Sequence, residues 1–137
     1  MADNIQKVDY WYVTVDNEPG AGARVLETLR DRGVNLRACH GFPSEGRAQL
    51  DLVPEDGEKL RTAAEEAGLS LSERKRALIA EGEDRVGAVA EMLGRLASAG
   101  INVVAIDALA AGAGRYGALL WVAPEDYEQA ATVLGAA

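Results

Sequence analysis

The chain has one cysteine and one histidine, and they are neighbours, Cys39 and His40. A thiol beside an imidazole is the combination that cysteine nucleophiles use, so this pair is the first candidate for covalent chemistry. Both residues stand in a run predicted to be a strand, where adjacent side chains point to opposite faces of the sheet. We therefore do not expect them to form a catalytic dyad. One histidine and one cysteine also offer no metal-ligand spacing, and we predict neither a metal site nor an intrachain disulfide.

Gly112, Gly114 and Gly117 form the pattern G-x-G-x-x-G, which is the spacing of dinucleotide-binding loops. That chemistry requires a helix directly after the glycines, because the helix N-terminus holds the pyrophosphate. The residues that follow here read YGALLWVA, which is typical of a strand. We predict a hairpin and no cofactor at this place, with Arg115 and Tyr116 able to fold over a neighbouring ligand site.

The composition excludes several classes of partner. The 137 residues carry a formal net charge of -8, which disfavours nucleic acid and anionic membrane surfaces, since both are bound through clustered Lys and Arg. No apolar run approaches the 18 or so residues of a membrane span, and the N-terminal residues lack the pattern of a secretory signal. We expect a cytoplasmic protein without nucleic-acid or membrane partners. Trp11 and Trp121 stand in apolar runs and are interpreted as core residues.

An internal repeat organises the whole chain. Residues 20–38 align without a gap on residues 87–105 at a constant offset of 67, and VPED at 53–56 recurs as APED at 123–126. The second copy therefore carries three extra residues, which fall in the turn-like stretch AAGAGRYG. Both copies must be interpreted as the same structure.

Each copy shows the order strand, helix, strand, strand, helix. Runs of strand length at 10–15 and 76–80 are rich in β-branched, aromatic and aliphatic residues, and apolar residues at helical spacing follow each of them. The apolar positions of the two helices are Val25, Leu26 and Leu29 in the first copy, and Val89, Met92, Leu93 and Leu96 in the second.

Proline and glycine mark the ends of these helices. Pro19 suits the first turn of the first helix, and Gly33 and Gly100 stand where a left-handed residue closes a helix. Pro54 and Pro124, each followed by Glu-Asp, predict the start of the second helix of each copy, with an acidic first turn.

The ends of the two copies differ. The first copy continues into a segment long enough for a fourth strand, roughly 70–81, which runs into the next copy, whereas the second copy stops at VLGAA. The N-terminal segment 4–9 precedes its strand just as 71–76 precedes the counterpart. We therefore predict an α+β fold of two units, 1–74 and 75–137, in which residues 1–9 pair with the second unit and supply its fourth strand.

The loop Asp-Asn-Glu-Pro-Gly, the Ala- and Leu-rich helix after it and the sequence Gly-Val-Asn-Leu resemble the ACT domain family, in both copies and over nearly the whole chain. The second copy departs from the pattern, because Val86 stands where the family has proline. The resemblance implies two ferredoxin-like βαββαβ units with antiparallel sheets that bind small ligands, typically amino acids, to regulate an enzyme.

Carried over position by position, the resemblance implies ligand-binding residues in the loop between the first strand and the first helix of each copy, and at the start of the second strand. Amides and carboxylates there suit the ammonium of an amino acid, and a helix N-terminus suits its carboxylate. The implied positions are Asp16, Asn17, Pro19, Gly20 and Asn35, and in the second copy Asp84, Gly87 and Asn102.

These polar residues also allow a purely structural interpretation. Asp16 or Asn17 could cap the first helix, Asn35 could shape the turn after Gly33, and Asp84 could cap the corresponding helix of the second copy. Since no base, nucleophile or metal set is clustered, we do not expect an enzyme. The leading hypothesis is a homodimeric regulatory protein that binds an amino acid and acts on a separate enzyme. The alternative is an adaptor that keeps the fold for protein association and has lost its ligand.

Overall fold

The computed structural model describes residues 3–137 and divides the chain into two compact units. The first unit is Asp9–Lys75, and the second combines the N-terminal residues up to Val8 with Arg76–Ala137. Strand β1 (Asn4–Asp16) passes from the second unit into the first. The N-terminal segment thus contributes a strand to the second unit, as the sequence predicts.

The first unit is built from the last part of β1 and four further elements. These are α1 (Ala21–Asp31), β2 (Leu36–Ser44), β3 (Arg47–Pro54) and α2 (Gly57–Ala67). Strand β3 lies between β1 and β2 and pairs antiparallel with both. One face of this sheet packs on the two helices, with Leu52 and Leu60 fully buried and Trp11 almost so. Trp11 is a core residue, as predicted.

The second unit repeats this plan. After the first residues of β1 it contains β4 (Lys75–Glu83), α3 (Ala88–Ser98), β5 (Val103–Gly112), β6 (Arg115–Val122), a single 3-10 turn at Pro124–Asp126 and α4 (Tyr127–Leu134). Strand β6 pairs antiparallel with β4 and β5, and β1 lies on the far side of β4. Leu96 of α3 packs with Leu78 and Leu120 of the sheet in the core, and Trp121 is also buried, as predicted.

The N-terminal strand is held by both side chains and backbone. Ile5 is buried in the core of the second unit, and Lys7 forms an ion pair of 2.7 Å with Glu128 of α4. At the end of the chain, the backbone N–H of Ala137 donates to the carbonyl of Ile5 at 3.1 Å. These contacts keep residues 4–8 in place.

The fourth strand of the first unit is shorter than predicted. Regular pairing begins at Lys75 rather than near residue 70. Ser72 explains the difference, because its hydroxyl oxygen, not a carbonyl, accepts the backbone N–H of Tyr12 at 2.9 Å. The Ser72 N–H still donates to the Tyr12 carbonyl at 2.9 Å, so the segment follows β1 without forming a regular ladder.

Two of the predicted helix starts are wrong by a few residues. Pro19 lies in a turn before α1, closed by the Ala21 N–H donating to the Glu18 carbonyl at 3.3 Å. Pro54 ends β3, and Asp56 caps α2 by accepting the Lys59 N–H at 3.2 Å. Leu26, predicted on the apolar face of α1, is 37% exposed, because the apolar face is formed instead by Ala21, Val25 and Leu29.

The glycine-rich stretch is a hairpin, as predicted, with Gly112 opposite Arg115. The two turn residues, Ala113 and Gly114, both have positive φ, of 56° and 71°. The β2–β3 hairpin of the first unit repeats this geometry at Glu45 and Gly46, with φ of 52° and 79°. Positive φ at both central residues matches the twist of the flanking strands.

Candidate ligand-binding openings

Each unit has a surface cavity beside the N-terminus of its first helix. The first opening, of about 300 Å³, lies between the end of β1, the start of β3 and α1. The second opening, of about 280 Å³, lies between the loop after β4, the start of α3 and the β5–β6 hairpin. The polar residues that line the first opening are Thr14, Asp16, Arg24, Thr28 and Arg47. Those of the second are Asp84, Arg85 and Tyr116.

The helix at the first opening begins without a side-chain cap. Its N-cap is Gly20, with φ of 88°, and no side chain hydrogen-bonds to the N-terminal amides. Neither Asp16 nor Asn17 caps the helix, so that structural interpretation is wrong. It fails because the turn Glu18–Ala21 separates both residues from the helix start. A helix N-terminus without an acidic cap favours an anion from outside.

Two arginines line the first opening, and each makes only a long hydrogen bond to an acidic side chain. Arg47 donates to Asp16 at 3.4 Å, and Arg24 donates to Glu18 at 3.4 Å. Charge-assisted hydrogen bonds are normally about 2.7–2.9 Å. All four side chains are more than half exposed, so both guanidinium groups can take a new anionic partner at little cost.

The remaining predicted residues of the first copy surround the opening only in part. Asn17 and Pro19 are exposed in the loop and do not line it, although Gly20 precedes the helix that does. A side chain at Gly20 would stand 3.2 Å from the Arg24 guanidinium and would need a strained φ. Asn35 lines a separate depression with Arg30 and Gly33.

Asn35 contributes to local structure through its backbone. Its carbonyl accepts the Glu55 N–H at 2.9 Å, and it follows Gly33, whose φ of 74° closes α1 as predicted. The structure therefore does not bring Asn35 together with Asp16.

In the second copy, Asp84 and Gly87 line the second opening, whereas Asn102 is exposed and lies outside it. The N-cap of α3 is Gly87, with φ of 83° and no side-chain cap. Capping by Asp84 is therefore wrong as well. The backbone N–H of Asp84 instead donates to the Gly114 carbonyl at 2.9 Å, which ties the loop to the hairpin.

The strongest polar contacts of the second opening involve a residue that sequence reasoning missed. One carboxylate oxygen of Asp3 accepts the Tyr116 hydroxyl at 2.8 Å, and the other accepts the Arg85 guanidinium at 3.1 Å. The side chain of Asp3 is only 12% exposed. Arg85 also donates to Glu91 of α3 at 3.2 Å, whereas Arg115, predicted to fold over a ligand site with Tyr116, is exposed and does not line the opening.

The pKa values follow this arrangement. Burial raises the pKa of Asp3, but the hydrogen bonds from Arg85 and Tyr116 outweigh burial and leave the pKa below its ordinary value. Burial and then the hydrogen bond to Asp3 raise the pKa of Tyr116 to about 12. The pKa of Arg85 is also raised, first by its hydrogen bond to Asp3. At neutral pH the Asp3 carboxylate is charged, and it is bonded to a protonated phenol and a guanidinium.

The adjacent pair Cys39 and His40 does not form a dyad. Cys39 stands opposite Leu52 in the sheet register and His40 opposite Asp51, so the two side chains point to opposite faces, as predicted. Burial, with a further contribution from the Asp51 charge, raises the pKa of the Cys39 thiol. A raised pKa lowers the thiolate fraction at neutral pH, which is the reverse of what a catalytic cysteine requires.

No family model matches the chain, and no curated protein sequence matches it. Solved structures do match. A protein from Bacteroides thetaiotaomicron superposes with a TM-score of 0.82 at 18% identity, covering 96% of this chain and 89% of that one. The regulatory subunit of aspartate kinase from Thermus thermophilus gives a TM-score of 0.64 at 18% identity, covering 98% and 95%.

The fold is ACT-like. The aspartokinase structure with alpha and beta subunits has the same fold, with a TM-score of 0.59 at 16% identity and coverage of 98% and 95%. Among residues 3–137, no three His, Cys, Asp or Glu side chains are placed to hold a metal ion. Over the same range, no helix is both long and apolar enough to span a membrane.

Proposed function

We propose that this protein is a regulatory module that binds an amino acid in the first opening and has no catalytic activity of its own. The observation that carries the proposal is the convergence of Arg24, Arg47 and the uncapped start of α1 on one cavity of about 300 Å³. All three are electropositive. Together they favour an anionic group, and the carboxylate of an amino acid is one such group.

Asp16 supplies the opposite charge at the same cavity. Its side chain is 74% exposed and contacts Arg47 at 3.4 Å, a distance that leaves its carboxylate able to bind an ammonium. An α-amino acid presents a carboxylate and an ammonium a few ångströms apart, which matches this arrangement of arginines and aspartate. The cavity is at the lower limit of the range for drug-sized ligands, about 300–1,000 Å³, and suits a small metabolite.

We propose that the regulation acts on a separate enzyme. The fold is shared with structures described as regulatory subunits of aspartate kinase, which supports a role in controlling a separate enzyme. We propose that ligand binding changes how the protein, as a homodimer, associates with that enzyme.

The test is a thermal-shift screen of the intact chain against the proteinogenic amino acids at millimolar concentration. A ligand that binds only the folded state raises the free energy of unfolding by mass action, by about 2.7 kcal/mol at 100 times its Kd, and the melting midpoint rises with it. We expect Arg24→Gln and Arg47→Gln to reduce the shift. Arg61→Gln, an exposed arginine of α2 outside the first opening, is the matched control.

A second candidate function is protein association without a ligand. It is favoured by apolar side chains on the surface of the second unit, where Val104 is 62% and Leu109 72% exposed. Absence of a thermal shift with every amino acid, together with a stable oligomer in solution, supports this adaptor function over the first.

A further inference from the structure

We propose that the second opening contains a carboxylate-binding position, made by Arg85 and Tyr116, and that Asp3 of the chain's own N-terminal segment occupies it as an internal ligand. The proposal concerns a different unit from the first opening and does not depend on what that opening binds. The position takes a free small carboxylate only when the Asp3 carboxylate is absent.

The contacts of Asp3 are those of a bound carboxylate. Its two oxygens are each satisfied by a different donor, the Tyr116 hydroxyl at 2.8 Å and the Arg85 guanidinium at 3.1 Å. The donors come from β6 and from the loop before α3, so the position is built by elements distant in sequence. Because Glu91 holds a second nitrogen of Arg85 at 3.2 Å, the guanidinium stays oriented when its carboxylate partner changes.

Gly82 provides the space in which this carboxylate lies. A Cβ at Gly82 would stand 2.1 Å from an Asp3 carboxylate oxygen, well inside any permitted contact. Because residue 82 has no side chain, the carboxylate of Asp3 can approach the β4 backbone at this position. A side chain at residue 82 is incompatible with the observed position of Asp3.

Room for the rest of a small molecule lies beside the same two donors. Arg85 and Tyr116 both line the second opening, and most of the other lining is apolar: Ala88, Val89, Ala90, Ala108, Leu109 and Ala110. The chemistry of this lining favours a carboxylate with a short aliphatic remainder.

The repeat shows why only one copy is filled in this way. At the offset of 67, Asp3 corresponds to Ser70, and Arg85 corresponds to Glu18. The first copy thus has a hydroxyl where the second has the internal carboxylate, and it has an acid where the second has the arginine that binds it. The two openings are unequal because of these exchanges.

Tethering explains why the wild-type position excludes free carboxylates. Asp3 directly precedes β1, whose residues Ile5 and Lys7 are fixed by backbone hydrogen bonds to Ala137. A group held on so short a connection has an effective concentration of about a millimolar or more at its site. A weak external carboxylate at millimolar concentration does not displace it.

The experiment compares wild type, Asp3→Ala and the control Glu83→Gln in titrations with sodium acetate and sodium isovalerate, using acetamide and sodium chloride as probes of non-specific effects. Glu83 is an exposed acid of β4, so this control removes the same charge nearby while leaving the contacts of Asp3 intact. We expect both carboxylates to raise the melting midpoint of Asp3→Ala in a saturable way, with isovalerate effective at lower concentration. Calorimetry should show at least tenfold tighter binding to this variant than to wild type.

A second substitution in the same variant assigns the effect to the position. Adding Arg85→Gln to Asp3→Ala should abolish the carboxylate response. If Asp3→Ala does not fold, Asp3→Asn, which keeps the side-chain volume, replaces it in the same titrations. The proposal is overturned if the carboxylates stabilise the Asp3 variant no more than they stabilise Glu83→Gln, or if the response survives the loss of Arg85.

Discussion

The Tyr116 hydroxyl donates a hydrogen bond of 2.8 Å to the Asp3 carboxylate, joining two residues that are 113 positions apart in the chain. This bond ties the start of the N-terminal strand to β6 of the second unit. The corresponding charges of the first unit, Arg47 and Asp16, lie 3.4 Å apart and are largely exposed. In the second unit these charged groups are therefore bonded to one another, whereas in the first unit they remain available to a ligand.

Asp3→Asn is expected to destabilise the protein by about 1.5–3 kcal/mol at neutral pH, because hydrogen bonds to a charged, buried carboxylate are lost. The folded-state pKa of Asp3 is below its unfolded value, so this contribution is present above about pH 4. It is lost as the pH falls through the folded-state pKa. Urea unfolding of both proteins at several pH values measures the difference, and a difference that stays constant down to pH 2 contradicts the argument.

Deleting residues 1–8 should destabilise the second unit while leaving the first largely intact, because Ile5 and Val8 are buried and belong to the second unit. Burying one aliphatic side chain of this size contributes about 1.5–3 kcal/mol, so a loss of more than about 3 kcal/mol is expected. Trp121 lies in the second unit and Trp11 in the first, so Trp→Phe variants with a single tryptophan report on each unit separately. An unchanged Trp121 transition after the deletion rules out this account of the strand.

Glu45→Asn should stabilise the β2–β3 hairpin by up to about 1 kcal/mol. Glu45 has φ of 52°, a left-handed conformation that costs most residues about 1–2 kcal/mol and that Asn adopts more readily. Glu55→Asn removes the same charge at an exposed position without positive φ and serves as the control. Chemical denaturation compares the two variants, and equal midpoints show that the turn geometry is not limiting.

Cys39 is exposed, so the raised pKa of its thiol, rather than lack of access, should slow its reaction with iodoacetamide at neutral pH. Burial raises the pKa of its thiol, so the pH at which the rate reaches half its maximum should lie above that of a simple thiol such as N-acetylcysteine. Rates measured across a pH series give this value. A midpoint below that of the reference thiol means that Cys39 is activated, and it would reopen the case for a nucleophile.

The repeat and the change of hydrophobic period made most of the fold predictable. Both signals depend on residues close together in the chain. The two copies do repeat the same local structure, since Gly33 and Gly100, which follow the first helix of each copy, have equal φ of 74°. The late start of the fourth strand, at Lys75, depends on the Ser72 hydroxyl replacing a carbonyl as acceptor for the Tyr12 N–H. No sequence pattern predicts that replacement.

Only the location of the candidate site, and not its charged residues, could be predicted from the sequence. The loop after β1 follows from the position of the glycine before each helix, but the charged residues that define the openings come from elsewhere. Arg85 and Asp3 are 82 positions apart, and Arg47 reaches Asp16 only because β3 pairs with β1. Contacts between distant segments depend on the sheet register, which the residues of the loop do not encode.

Calorimetric titration of the intact chain with the amino acid found in the screen tests the central claim most directly. We predict one molecule bound per chain, at least tenfold weaker binding in Arg47→Gln, and unchanged binding in Arg61→Gln. Binding that is absent for every amino acid, or that is equal in Arg47→Gln and Arg61→Gln, contradicts ligand recognition at the first opening.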